Sequence, residues 1–178
     1  MRTIVYYVAI SVDGFISGED NDISGFLHYD DVIEKYQDDL KTYDTTIMGR
    51  HTYEFGYQYG LKPGQPAYPH MKHYIFSNSL SFENPHEQVQ VLPPNIQHIK
   101  DLRNQSGSDI YLCGGGILAG WLLKHKQIGK LILKLNPFIQ GSGVRLFEDV
   151  DAIYRLQLVQ KESFPGGLQL LEYDISYD

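Results

Sequence analysis

The stretch DIYLCGGGILAGWLLK, Asp109 to Lys124, constrains this chain more than any other. A short apolar run meets Gly114, Gly115 and Gly116, and an apolar segment of helical length follows. Glycine loses more backbone entropy on folding than any other residue, so three together are costly wherever another residue would serve. Their position predicts a strand that hands over to a helix. Two readings account for the glycines. One is a tight turn with close packing. The other is an anion held by bare backbone N–H groups at the positive end of the helix. This turn alone leaves both open.

The same hand-over recurs in TTIMGRHTYEFG. Residues 45–49 read as a short strand that ends on Gly49, and Arg50, His51 and Thr52 open a helix. An arginine, a hydroxyl and free N–H groups at one helix start make a second candidate anion site. Helix capping with a solvated arginine is the competing reading. Two such starts in one small chain favour a diphosphate ligand more than either does singly.

The remaining pattern sets the fold class. Residues 3–12, rich in β-branched and aromatic side chains, predict a buried strand, and residues 13–25, punctuated by glycine and aspartate, a loop. Val32, Ile33, Tyr36, Leu40 and Tyr43 have helical spacing over 30–43, with Asp30 and Asp31 at the positive end. Strands are predicted at 72–78 and 89–93, a three-proline loop at 63–71, and helices at 96–105 and 117–126. KLILKLNPFI, YRLQLVQKESF and LQLLEYDIS in the last third read as strands joined by turns. Alternating strands and helices predict a central, mostly parallel sheet with flanking helices; the tail adds antiparallel strands. The class is α/β, and residues 1–178 read as a single domain without linker or repeat.

Composition narrows the function. The net charge is −7, against the basic stripe that a nucleic-acid partner demands. No apolar run approaches the roughly 18 residues of a membrane span. The N-terminal MRTIVYYVAISVDGF lacks the features of a signal peptide, so the expected location is cytoplasmic. Cys113 is the only cysteine, which excludes an internal disulfide and a cysteine-based zinc site. His70 and His73 have the spacing of a metal pair but no third ligand near them in sequence, so no metal is expected. Asp13 and Gly14 read as an Asp-Gly turn. YEFGYQYG reads as ordinary aromatic packing, with an aromatic ligand wall as the alternative.

Two common nucleotide motifs fail. Gly115 and Gly120 have the P-loop separation, but Trp121 stands where lysine is required. Gly114, Gly116 and Gly120 are one residue too widely spaced for the dinucleotide fingerprint, and Lys134 occupies the distance of its acidic residue.

Taken in order, VAISVDGFIS (8–17), TIMGRHTYE (46–54), YIFSNSL (74–80), YLCGGGILAGWLL (111–123) and NPFIQGSGVRLF (136–147) resemble the dihydrofolate reductase-like superfamily. Within it they are most similar to the reductase domain of riboflavin biosynthesis, the RibD C-terminal type. The resemblance implies a dihydrofolate reductase-like fold and NADPH as cofactor. It puts Arg50, His51 and Thr52, after Gly49, at the 2′-phosphate and pyrophosphate side. Ser77 and Asn78 fall near the adenosine, and Gly114, Gly115 and Gly116, with Ile117 behind them, at the pyrophosphate. Ala9 and Ile16 border the nicotinamide. The implied activity is that of a 5-amino-6-(5-phosphoribosylamino)uracil reductase, passing hydride to a small heterocyclic or sugar-amine substrate. Folate reduction and a non-catalytic nucleotide-binding module are the alternatives. Dihydrofolate reductases carry a carboxylate on the first helix; counting places it near Val32 or Ile33, so Asp30, Asp31 and Glu34 are the candidate acids. Family habit implies a homodimer, through the exposed edge of the C-terminal strands.

Overall fold

Strand β1 (Ile4–Ser11) is apolar or aromatic at nearly every position, the pattern of a strand covered on both faces. In the computed structural model, which describes residues 1–177, β1 lies inside an eight-stranded sheet. The other strands are β2 (Phe15–Ser17), β3 (Thr45–Gly49), β4 (Lys72–Phe76), β5 (Val89–Leu92), β6 (Ile110–Gly114), β7 (Ile128–Asn136), β8 (Val144–Arg145), β9 (Arg155–Ser163) and β10 (Gln169–Ser176). The helices are α1 (Asp30–Leu40), α2 (Arg50–Phe55), α3 (Ile96–Asn104) and α4 (Gly116–Lys124). The sheet order is β5-β4-β3-β6-β1-β7-β10-β9, while β2 and β8 form a separate two-stranded ribbon. The pairings from β5 to β7 are parallel, and those of β7–β10 and β10–β9 are antiparallel. The expected class and sheet character are therefore present.

Successive side chains of a strand point to opposite faces, so β1 divides the core in two. Ile4 and Tyr6 pack with Leu112, Ile99 and Leu122 on the side of α3 and α4. Val5 and Tyr7 pack with Tyr111 and Leu40 on the side of α1. The stripe Val32, Tyr36, Leu40 seats α1, while Asp30 and Asp31 occupy its first turn. At the end of the sheet away from the glycine turns, the buried Arg2 guanidinium pairs with Asp44 and donates to the Ser108 carbonyl.

Among the departures from the sequence expectation, three alter the local path of the chain. Helix α1 stops at Leu40 rather than 43, and Tyr43 reaches the core from a turn. Strand β4 stops at Phe76, because the Ser77 hydroxyl accepts from the N–H groups of Ser79 and Leu80 and turns the chain. The predicted loop over 13–25 contains β2, whose partner β8 lies well over a hundred residues on.

His73, fully buried, accepts from the Tyr68 N–H through Nε2 at 3.1 Å. Its Nδ1, 3.1 Å from the Met71 carbonyl, therefore carries the proton and donates it. Burial lowers its pKa from 6.5 to about 4. The folded state then binds fewer protons than the unfolded chain, so this stability is present above pH 6.5 and lost as pH falls through about 4. The melting temperature should drop across that window. His73→Gln should melt lower at neutral pH but show a flatter pH dependence, both readable by thermal unfolding monitored by circular dichroism.

Candidate active site

Two strand-to-helix turns, β3–α2 and β6–α4, open side by side at the carboxyl ends of parallel strands, where α/β sheets bind ligands. Helix starts leave N–H groups without intrahelical partners, and the chain treats its four helices differently. Helix α1 has two acids in its first turn, and α3 has Asn95, whose side chain accepts from the Gln97 N–H at 2.8 Å. Helices α2 and α4 have neither a side-chain cap nor an acid in the first turn. Both face one cleft of about 720 Å³, within the usual range for cofactor sites.

The cleft brings together most of the predicted cofactor residues. Ile16, Gly49, Arg50, His51, Thr52, Ser77, Asn78, Gly115, Gly116 and Ile117 all line it, and so does Trp121 of α4. Arg50 sits exposed at the mouth, donating to the Glu54 carboxylate at 2.8 Å and the Ser79 hydroxyl at 2.9 Å. Gly114 and Ala9 lie outside this lining; Ala9 instead borders a second cavity.

Each glycine of the opening stretch has its own reason. Gly114 has φ of +133°, a region that side-chain-bearing residues rarely enter, and the Gly114–Gly115 peptide is cis. A Cβ on Gly115 would stand 3.2 Å from the Thr52 hydroxyl. A Cβ on Gly116 would overlap the carbonyl oxygen of Arg145, and one on Gly120 that of Glu148. The close neighbour at these two positions is thus the chain itself. The strap 143–148 lies on α4, with the Glu148 N–H donating to the Gly116 carbonyl at 3.0 Å and the Leu146 N–H to Gly14 at 3.0 Å. Gly143, at φ +136°, has no room for a side chain against the Ser17 carbonyl, so the strap closes on β2 as well. Asp13, beyond making its turn with Gly14, accepts from the N–H groups of Gln140 and Gly141 and fixes the start of this segment.

The second cavity, about 450 Å³, adjoins the cleft; Val8, Ile16, Ile23, Thr52, Phe55 and Cys113 line both. Tyr7, Tyr36, Tyr53, Tyr59, Tyr68 and Tyr111 are among its walls. The Tyr36 and Tyr111 hydroxyls share a 2.6 Å hydrogen bond, and the Tyr68 hydroxyl lies 3.6 Å from the Cys113 sulfur. Burial pushes the Cys113 thiol up, which keeps it a poor nucleophile. Among the described residues, no carboxylate lines this cavity.

Asp30, Asp31 and Glu34 are exposed and line neither cavity. The helix turns Val32 and Tyr36 inward, so the acids beside them point away. His70 and His73 bond to the carbonyls of Leu40 and Met71 and do not converge on a common point.

A family model described as the RibD C-terminal domain matches residues 2–170. The chain belongs to the RibD C-terminal domain family. It is 30% identical over 174 residues to the uncharacterized protein YwjB of Bacillus subtilis (strain 168), covering 95% of this chain and 96% of that one. Its fold is similar to that of a candidate riboflavin biosynthesis protein from Shewanella sp. PV-4, with TM-score 0.81, 20% identity, and 99% of this chain and 100% of that chain covered. A dihydrofolate reductase from Enterococcus faecalis complexed with NADP(H) has TM-score 0.65 at 15% identity, covering 97% of this chain and 94% of that one. The dihydrofolate reductase-like fold is thus shared.

In this RibD C-terminal domain, sequence reasoning missed the side chains of the smaller cavity, above all Lys134 and Tyr36. A lysine inside the apolar run KLILKLN was the available signal. No helix of the described residues is long and apolar enough to cross a membrane. The glycine packing yields a direct expectation. Gly120→Ala should destabilise the fold by about 1–3 kcal/mol through overpacking against the strap, measured by chemical denaturation.

Proposed function

We propose that the protein is an NADPH-dependent reductase of the class that includes 5-amino-6-(5-phosphoribosylamino)uracil reductase, acting on a small heterocyclic or sugar-amine substrate. The observation that carries this reading is the pair of helix starts without internal anions, α2 and α4, opening onto one 720 Å³ cleft. Family membership and a fold shared with an NADP(H)-bound dihydrofolate reductase support it.

The residues present fit the cofactor. Gly115 and Gly116 line the cleft at the start of α4, where a pyrophosphate would meet the helix N-terminus. Thr52 adds a hydroxyl, and Arg50 a guanidinium that can pass from Glu54 to a phosphate. Ser77 and Asn78 offer polar groups on the adenosine side. When bound, NADPH supplies the hydride, delivered to a conjugated C=N or C=O carbon. The chain's own part is to orient the ring at the passage lined by Val8, Ile16 and Cys113 and to keep water out with apolar walls. No acid on α1 reaches that passage, so this reading takes the proton from water or from a cavity hydroxyl. The same fact disfavours a folate-type site.

The chain also has an edge open to a partner. Leu156, Leu158 and Val159 of the edge strand β9 are exposed, and we propose that β9 meets β9 of a second copy. Light scattering should then give twice the chain mass, and Leu158→Lys should give monomers; a monomeric wild type rejects the dimer.

NADPH binding should be saturable and should change Trp121 fluorescence. Arg50→Ala should weaken NADPH about tenfold while changing NADH little, because the guanidinium serves the 2′-phosphate. An absence of NADPH binding would remove the reductase reading.

A further inference from the structure

One charged side chain in the smaller cavity has no role in the reading above. Lys134 lies on β7, between Ala9 of β1 and Leu170 of β10, all three on the α1 face of the sheet. Its ammonium stands 5.1 Å from the centre of the Tyr36 ring, and it makes no ion pair among the described residues. The contrast with its neighbour is instructive. Lys130, two positions along the same strand face, pairs with Glu172. The other ion pairs of the described residues, Arg2–Asp44, Lys35–Asp39, Lys41–Asp38 and Arg50–Glu54, likewise match each cation to an acid. Lys35, Lys41 and Lys130 thus each have a carboxylate partner, whereas Lys134, in the lining of a cavity, has none among the described residues.

A desolvated ammonium without a counter-charge is unfavourable, and burial accordingly lowers the pKa of Lys134. Tyr36 offsets part of that cost through its ring face. The rest is available to a ligand. The lining holds no carboxylate and no arginine, and His28 at its border is exposed. Tyr7, Tyr36, Tyr68 and Tyr111 supply flat faces. The Tyr36 and Tyr111 hydroxyls share a 2.6 Å hydrogen bond beside the Tyr68 hydroxyl, so the ammonium is accompanied by a cluster of hydroxyl groups. One cation with hydroxyl donors matches a single negative charge; a phosphate dianion calls for more donors and a more open setting.

We propose that the smaller cavity binds a planar ring substrate bearing one negative charge, a ring carboxylate or a deprotonated ring amide, which Lys134 neutralises beside the cofactor passage. This deepens the reductase reading by naming the substrate class of the same site.

Three probes test it: orotate, a planar monoanion; uracil, the same ring without the carboxylate; and ribose 5-phosphate. Each is titrated into the protein by calorimetry, with and without NADP⁺, alongside a separate NADPH titration. Orotate should bind at least about tenfold more tightly than uracil. Lys134→Met should abolish that preference, and Lys134→Arg, which keeps the charge, should restore part of it. Thermal unfolding verifies that both variants are folded.

Equal affinity for orotate and uracil, no binding of either at about 10 mM, preference for ribose 5-phosphate, or an orotate preference that survives in Lys134→Met would each overturn the proposal. NADPH binding without an orotate preference rejects the anion pocket and leaves the reductase reading. An orotate preference without NADPH binding does the reverse.

Discussion

The architecture depends on how closely one strap of backbone approaches one helix. Residues 143–148 run against Gly116 and Gly120 of α4 so tightly that a methyl group at either position would strike a carbonyl oxygen. From there the strap pairs with β2 and accepts the Tyr6 hydroxyl on the Leu146 carbonyl at 3.3 Å. This one contact fixes the start of α4, the β2–β8 ribbon and the far wall of the cleft together. Protein interiors are close-packed, so a wall set by backbone against backbone is stiffer than one set by long side chains. Val144 of the strap and Ile16 of β2 thereby become fixed features of the cleft lining.

The glycine run therefore answers to two demands. Gly115 and Gly116 line the cleft at the helix start, while Gly114 meets a backbone angle and Gly116 and Gly120 a packing distance. Sequence reasoning posed turn and ligand as alternatives. In the folded chain the two are compatible, because the turn that sets the start of α4 beside the cleft is held by the strap behind it.

Much of the fold was legible because the main elements carry their own periodicity. The apolar run of β1, the stripe on α1 and the change from strand–helix alternation to consecutive strands are all local signals. The β2–β8 ribbon was not legible, since three residues paired with two carry no period and the partners are far apart in the chain. The lining of the larger cleft was largely readable, because helix starts with glycine, arginine and threonine have a physical meaning on their own. The lining of the smaller cavity was not. Lys134 looks like any strand lysine until the register between β1 and β10 places it under Tyr36, and Asp30 and Asp31 look alike whether they cap a helix or face a ligand.

The wall common to the two cavities has a thermodynamic consequence. Thr52, Phe55, Ile16 and Cys113 each present surface to both chambers, so an occupant of either chamber would rest against the same four side chains. Two ligands that order the same side chains are coupled, and whatever factor one imposes on the affinity of the other is returned in equal measure. The two halves of the site are then one linked equilibrium, and the strength of either half has a single value only when the state of its neighbour is specified.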